Sequence, residues 1–220
     1  MRTSIYGIHP GVAMVQRAIT SLPGKTGRSL DEWVAIIRKN GPRGEAQGVA
    51  EAGARDGRLM DAAFLTDFRE TVDASAARLL ALSSAQAGSR PAAGKWSPKE
   101  IIGHLIDSAS NNHGRFVRAQ LQDDLIFGGY EQAEWVRVQR YQEREWADLV
   151  RLWQAFNHHI AHVMETTDAE ALTRPRAEHN LDALAWQPLG AGQPATLEYF
   201  MRDYVGHLKH HLRQVLGQPV

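Results

Sequence analysis

Residues 203–214 read DYVGHLKHHLRQ and place His207, His210 and His211 within one short stretch. Imidazole can bind a metal, act as a general base or switch charge near neutral pH. Two imidazoles four residues apart on a helix stand one above the other on the same face. A third ligand from another element would leave a coordination position free for water or substrate, as in catalytic zinc sites. The chain has no cysteine. Thiolate ligation, disulfides and a cysteine nucleophile are therefore excluded, and any metal must rest on imidazole, carboxylate, amide or water.

Whether those imidazoles can meet depends on the helices that carry them. Helical periodicity dominates, and no run of alternating residues argues for a strand, so the expected class is all-α. Long amphipathic segments fall at about 61–83, 98–122, 144–165 and 197–217, with a short helix at about 131–140. Ser97-Pro98-Lys99-Glu100 is the strongest start signal. Serine caps, proline occupies the first helical position, and glutamate closes a capping box. Residues 166–195 contain Pro175, Pro188 and Pro194 and read as a long irregular loop of the kind that often carries function. Thr196 caps the last helix and Gly217 ends it. Four long helices imply a four-helix bundle, and its long connections argue against the simple short-loop arrangement. Ahead of this body, residues 1–45 read as a small helical unit, with a capping box at Ser29–Glu32, and 46–59 as a glycine-rich linker.

A helix turns ~100° per residue. On the last helix Leu197, Phe200, Met201, Tyr204, Leu208, Leu212 and Val215 share one side. With Tyr204 at zero, His211 falls at about −20° and His207 at about −60°, on or beside the apolar stripe, whereas His210 lies near −120° and off it. On the second long helix His104 edges the stripe of Ile101, Ile102, Leu105, Ala109 and Phe116, and Ser108, Asn111 and Arg115 continue that edge. Such a row fits the wall of a polar cavity, and a solvated flank would look the same. On the third long helix His158 and His162 point away from the stripe, while His159 sits at its edge. His104, His207 and His211 could therefore converge. Ser108, Asn111 and Arg115 are candidates to line a substrate pocket, and Gln214 and His159 to brace a ligand from behind. A histidine at a core edge is more often hydrogen-bonded filler than a ligand, so a metal-free bundle with a histidine-rich face stays open.

Lys+Arg and Asp+Glu are both 25, giving zero formal charge. That leaves no basic footprint for nucleic acid and no polybasic run for a membrane surface. MRTSIYGIHPG lacks an apolar signal core, and no stretch approaches the ~20 apolar residues of a membrane span. The expectation is a soluble cytoplasmic protein with a small-molecule partner.

The spacing Trp96-x3-Glu100-x3-His104-Leu105, followed far downstream by His207-x3-His211-x2-Gln214, resembles the DinB/YfiT-like metal-binding family over about residues 60–217. The stretches KWSPKEIIGHLIDSASNNHGRFVRAQ and YFMRDYVGHLKHHLRQ carry the likeness. The resemblance implies a four-helix bundle whose ligands here are His104, His207 and His211, a divalent ion (Zn²⁺, Ni²⁺ or Fe²⁺), and a homodimer. It implies a hydrolase, or an S-transferase using a low-molecular-weight thiol, with a metal-bound water or thiolate as nucleophile. A non-catalytic binding module is the alternative. The segment KTGRSLDEWVAIIRKNGP resembles a small helical domain of unknown function, an appendage to the minimal family pattern.

Overall fold

The structure is a computed structural model that describes residues 59–190 and 192–217. The helical unit expected at 1–45 and nearly all of the linker lie outside the described residues. Four long helices form the body: α1 (Ala62–Leu80), α3 (Pro98–Ala119), α5 (Trp146–Thr166) and α8 (Leu197–Leu216). Short helices interrupt the connections: α2 (Ser84–Gly88), α4 (Gln132–Gln139), α6 (Ala169–Thr173) and α7 (Leu181–Leu184). Among the described residues there is no strand, only two isolated bridges.

The sequence signals account for most helix starts. Ser97 Oγ accepts from Glu100 N, Glu100 Oε2 accepts from Ser97 N, and Pro98 takes the first helical position. Thr196 caps α8, and Gly217 closes it at φ 66°. Two expectations change. The first long helix, expected to reach about 83, stops at Leu80, and Ser84–Gly88 form a separate capped turn, because Ser83 and Gln86 make a second capping box. The loop at 166–195 is less irregular than expected. It holds α6 and α7, and Leu125 N and Phe127 N donate to Glu178 O and Asn180 Oδ1, docking it on residues 125–127.

The long helices do not pack in chain order. α5 packs against α1 and α3, and α8 also packs against α1 and α3. α1 and α3 are therefore diagonal, as are α5 and α8. Each link between the long helices carries extra helical turns, including the one that joins the neighbours α3 and α5. The core between the helices is aromatic: Phe68, Phe116 and Trp153 are fully buried, and Phe116 meets Phe200 and Tyr204 edge-on. Tyr204 Oη donates to Asn157 Oδ1 at 2.6 Å, satisfying both polar groups at the centre of the diagonal. Trp146 Nε1 donates to Leu79 O, fastening the start of α5 to the end of α1.

One glycine of α3 sets a close approach. A Cβ at Gly103 would lie 2.1 Å from the Tyr141 ring, whose hydroxyl is held by Asp107 Oδ1. Gly103→Ala is expected to destabilise the protein by about 1–3 kcal/mol through overpacking. Gly114→Ala, in the same helix with open space around it, is expected to stabilise by about 0.5–1 kcal/mol. Urea unfolding of both variants checks the pair; equal effects would contradict the packing.

Candidate metal centre

The capping box fixes where α3 starts, and His104 follows one turn after Glu100. Arg90 Nε donates to Glu100 Oε2 at 2.9 Å, holding that helix end from the preceding loop. His104 is fully buried on α3, against the half-buried Trp96 ring at 5.3 Å. α8 runs antiparallel beside it, so the first half of α3 meets the second half of α8, where His207 and His211 sit one turn apart.

The three rings converge. Centroids lie 5.2 Å apart for His104 and His207, 4.9 Å for His104 and His211, and 4.5 Å for His207 and His211. One nitrogen from each falls within 4.8 Å of the others. His104 Nε2 and His207 Nε2 are 3.3 Å apart. Two imidazoles bound to one tetrahedral ion at ~2.0–2.1 Å would have their nitrogens about 3.3–3.4 Å apart. The spacing therefore suits a shared ion as well as it suits an N–H···N hydrogen bond.

Protonation favours ligation. Burial pushes His104 down to about 4, with the neighbouring His211 adding to the effect, and pushes His207 down to about 3, with His211, His104 and His210 adding. Burial also lowers His211. All three rings are neutral at pH 7, so a cation has no proton to displace. Gln214 Oε1 accepts from His211 Nδ1 at 2.9 Å, which leaves Nε2 of His211 unprotonated, and Gln214 Nε2 donates to His210 Nε2 at 3.0 Å. His210, placed off the apolar stripe, thus fixes the orientation of the Gln214 amide; its ring also lies tilted against Trp186 at 5.4 Å. His104 Nδ1 is buried with no hydrogen-bond partner among the described residues. Unlike His211, it lacks a group that fixes its tautomer.

From the triad a cavity of about 390 Å³ extends between α3 and α8, bounded by His207, His211, Ser108, Asn112, Arg115 and Asp203 among others. Ser108 and Arg115 stand in its wall as placed on the wheel. Asn111 does not: its Nδ2 bends back to Asp107 O, and Asn112 takes the position instead. Steps of four, four and three residues from His104 through Ser108 and Asn112 to Arg115 track the α8-facing side better than a step through Asn111. His159 is also elsewhere. Its Nε2 is 3.2 Å from His113 Nε2 on the outer side of α3. α5 lies diagonal to α8, so its edge faces α3 rather than the triad. His158 pairs with Asp73 at the surface, and His162 is exposed. His179 Nε2 bonds Gln193 O and Asn180 pins Phe127, so both hold the loop rather than line the cavity.

Two further carboxylates, Asp203 and Asp107, were not among the residues singled out in the sequence. Asp203 lines the cavity, and its oxygens accept from Trp186 N and Gln187 N at 2.9 and 2.8 Å. Burial raises it despite those bonds. Asp107 is buried one turn beyond His104, with Oδ1 held by Tyr141 and Gln139 and Oδ2 unpartnered. Each carried a signal in the sequence: Asp203 is four residues before His207, and Asp107 three after His104. Tyr130 and Trp186 enter the cavity from loops, beyond the reach of periodicity.

The DinB superfamily profile matches residues 67–215. The chain belongs to the DinB superfamily. Its fold is also that of YfiT from Bacillus subtilis, described as "a probable metal-dependent hydrolase with an unusual four-helix bundle topology". The TM-score is 0.56 at 16% identity, covering 77% of this chain and 92% of that one. No curated protein sequence matches this DinB chain significantly. Among its described residues, no helix is long and apolar enough to cross a membrane.

Proposed function

We propose that this DinB protein is a metal-dependent enzyme in which His104, His207 and His211 hold one divalent ion, Zn²⁺, Ni²⁺ or Fe²⁺, beside a pocket for a small electrophilic substrate. The observation that carries this reading is the meeting of three neutral imidazoles, two of which line a polar cavity. When bound, a divalent ion supplies Lewis acidity to a substrate atom or to a coordinated nucleophile. Burial by Trp96 and the helix walls keeps His104 neutral. Gln214 orients His211, and Asp203 holds the Trp186 loop against the cavity. The family resemblance adds a homodimer, with residues 1–45 as an appended unit.

Hydrolysis and transfer of a low-molecular-weight thiol remain the two chemistries of this site, and one feature favours the second. Among the described residues His211 also borders a larger hollow of about 930 Å³ on its other side, walled by Trp96, Pro98, Ile101 and Val215. A ligand histidine bordered by two hollows suits a reaction that joins two molecules, and a supplied thiol needs no protein cysteine.

Metal analysis of protein purified without a polyhistidine tag is expected to find about one equivalent. Less than about a tenth of an equivalent after reloading sinks the reading. A turnover screen pairing small electrophiles with water alone or with candidate thiols then separates the chemistries. Full metal occupancy with no metal-dependent turnover would leave a binding module.

A further inference from the structure

Arg115 is 4% exposed and lines the cavity that opens on the triad. Among the described residues no carboxylate lies within ion-pair distance of it; its partners are Gly128 O at 2.7 Å and Asn112 Oδ1 at 3.3 Å. A buried charge is costly unless it is paired and hydrogen-bonded. Arg176 shows what a buried arginine with a purely structural task looks like here. It is equally buried, lines neither of the hollows that border the histidines, and donates through its terminal nitrogens to three carbonyls, Ala171 O, Arg174 O and Ala119 O, although its Nε has no partner among the described residues. Arg115 has one carbonyl and one amide oxygen, and its guanidinium faces a cavity large enough for a small molecule.

The geometry points to Arg115 as a carboxylate subsite: the substrate is a small monoanion whose carboxylate sits on the Arg115 fork while its reactive centre lies at the histidines. The planar guanidinium matches a carboxylate edge to edge. Asp203, the carboxylate in the same cavity, is already engaged by two backbone N–H groups, which leaves the Arg115 fork to a ligand. Distance sets the substrate's length. Eleven residues of α3 separate the Cα atoms of His104 and Arg115 by ~16 Å along the axis. The Arg115 side chain leans toward the helix N-terminus and shortens that span. The carboxylate and the reacting atom are therefore several bonds apart, not α to one another. This assignment rests on the triad being the reacting end, as proposed above.

The test uses 4-bromobenzoate and its neutral counterpart 4-bromobenzamide on metal-loaded, full-length protein, with metal content measured on each sample. The carboxylate is expected to bind at least about 10-fold tighter than the amide, and Arg115→Gln to abolish that preference. Arg115→Lys is expected to recover part of it. A role limited to tethering the loop at Gly128 would weaken both compounds alike and leave their ratio unchanged, which would overturn the assignment. So would the absence of carboxylate binding to the wild type. An anion bound at the metal is also separable: its affinity would fall on chelation and not with Arg115→Gln. Should the variants fail to fold, the anomalous signal of bromine in wild-type crystals locates the compound. A carboxylate on Arg115 upholds the subsite, and one at the triad or elsewhere refutes it. Carboxylate preference that depends on Arg115 in protein unable to hold metal would sink the enzyme reading and spare the subsite.

Discussion

The His207→Ala, His211→Ala double variant is expected to lose its metal. Disturbing a partner that merely braces a ligand costs about 10–100-fold in metal affinity. Removing two of three ligands must cost more, so the variant should retain less than about a tenth of an equivalent where the wild type holds one. The fold should survive. Both side chains lie in the second half of α8 on the edge of its buried face, while the fully buried contacts of that helix come from Leu197, Phe200, Met201, Tyr204, Val205, Leu208 and Leu212. Alanine also relieves the burial of two imidazoles, so metal-free stability should hold or rise. Elemental analysis alongside circular dichroism checks both halves. A folded variant with full occupancy would refute the ligand assignment. A single Gln214→Ala change should show the milder effect of about 10–100-fold, since it frees the His211 tautomer and leaves the three rings in place.

The second large effect is acid sensitivity of the chelated, metal-free protein. An unfolded histidine titrates near ~6.5, whereas burial holds His104 at about 4 and His207 at about 3. Between those limits the unfolded chain binds protons that the folded chain refuses, so stability rises with pH. The contribution is intact above the unfolded value and is lost progressively as pH falls toward the folded ones. From pH 7 to pH 5 His104 alone should account for about 2 kcal/mol of lost stability, and His207 adds in the same direction. That window lies above the range in which Glu100 titrates, since its bond to Arg90 lowers it further. Urea midpoints at pH 7, 6 and 5 read the slope, and His104→Gln should flatten it. Asp203 and Asp107, which burial raises, tilt the curve the other way, so the deciding comparison is with the variant: a slope unchanged by His104→Gln would mean that this imidazole is solvated, contrary to the packing around it.

Local rules carried a good part of the molecule. The Ser97–Glu100 capping box and Thr196 place the starts of α3 and α8, and once a start is fixed, a constant turn per residue places His104, His207 and His211 on inward edges. Caps and periodicity depend on neighbours within a few residues, so they can be read from the chain alone. The same reasoning separated His207 and His211 from His210, and it put Ser108 and Arg115 on the side of α3 that faces the cavity. Family likeness in the spacing of Trp96, Glu100, His104, His207 and His211 agreed with that geometry.

What the sequence left undecided depends on which surfaces meet. The diagonal placement of α1 and α3 follows from the total burial of four apolar faces, which no single helix reveals. It turned His159 toward His113 and away from the triad. It also brought two loops, through Tyr130 and Trp186, over the cavity between α3 and α8. Asn112 replaced Asn111 because a wall is defined by the helix opposite, not by the stripe beside it. Arg115 shows the division most clearly: its position on the helix was legible in the sequence. That it is buried, beside a cavity and without a carboxylate within ion-pair distance depends on every group that could have neutralised it, and those groups lie far away along the chain.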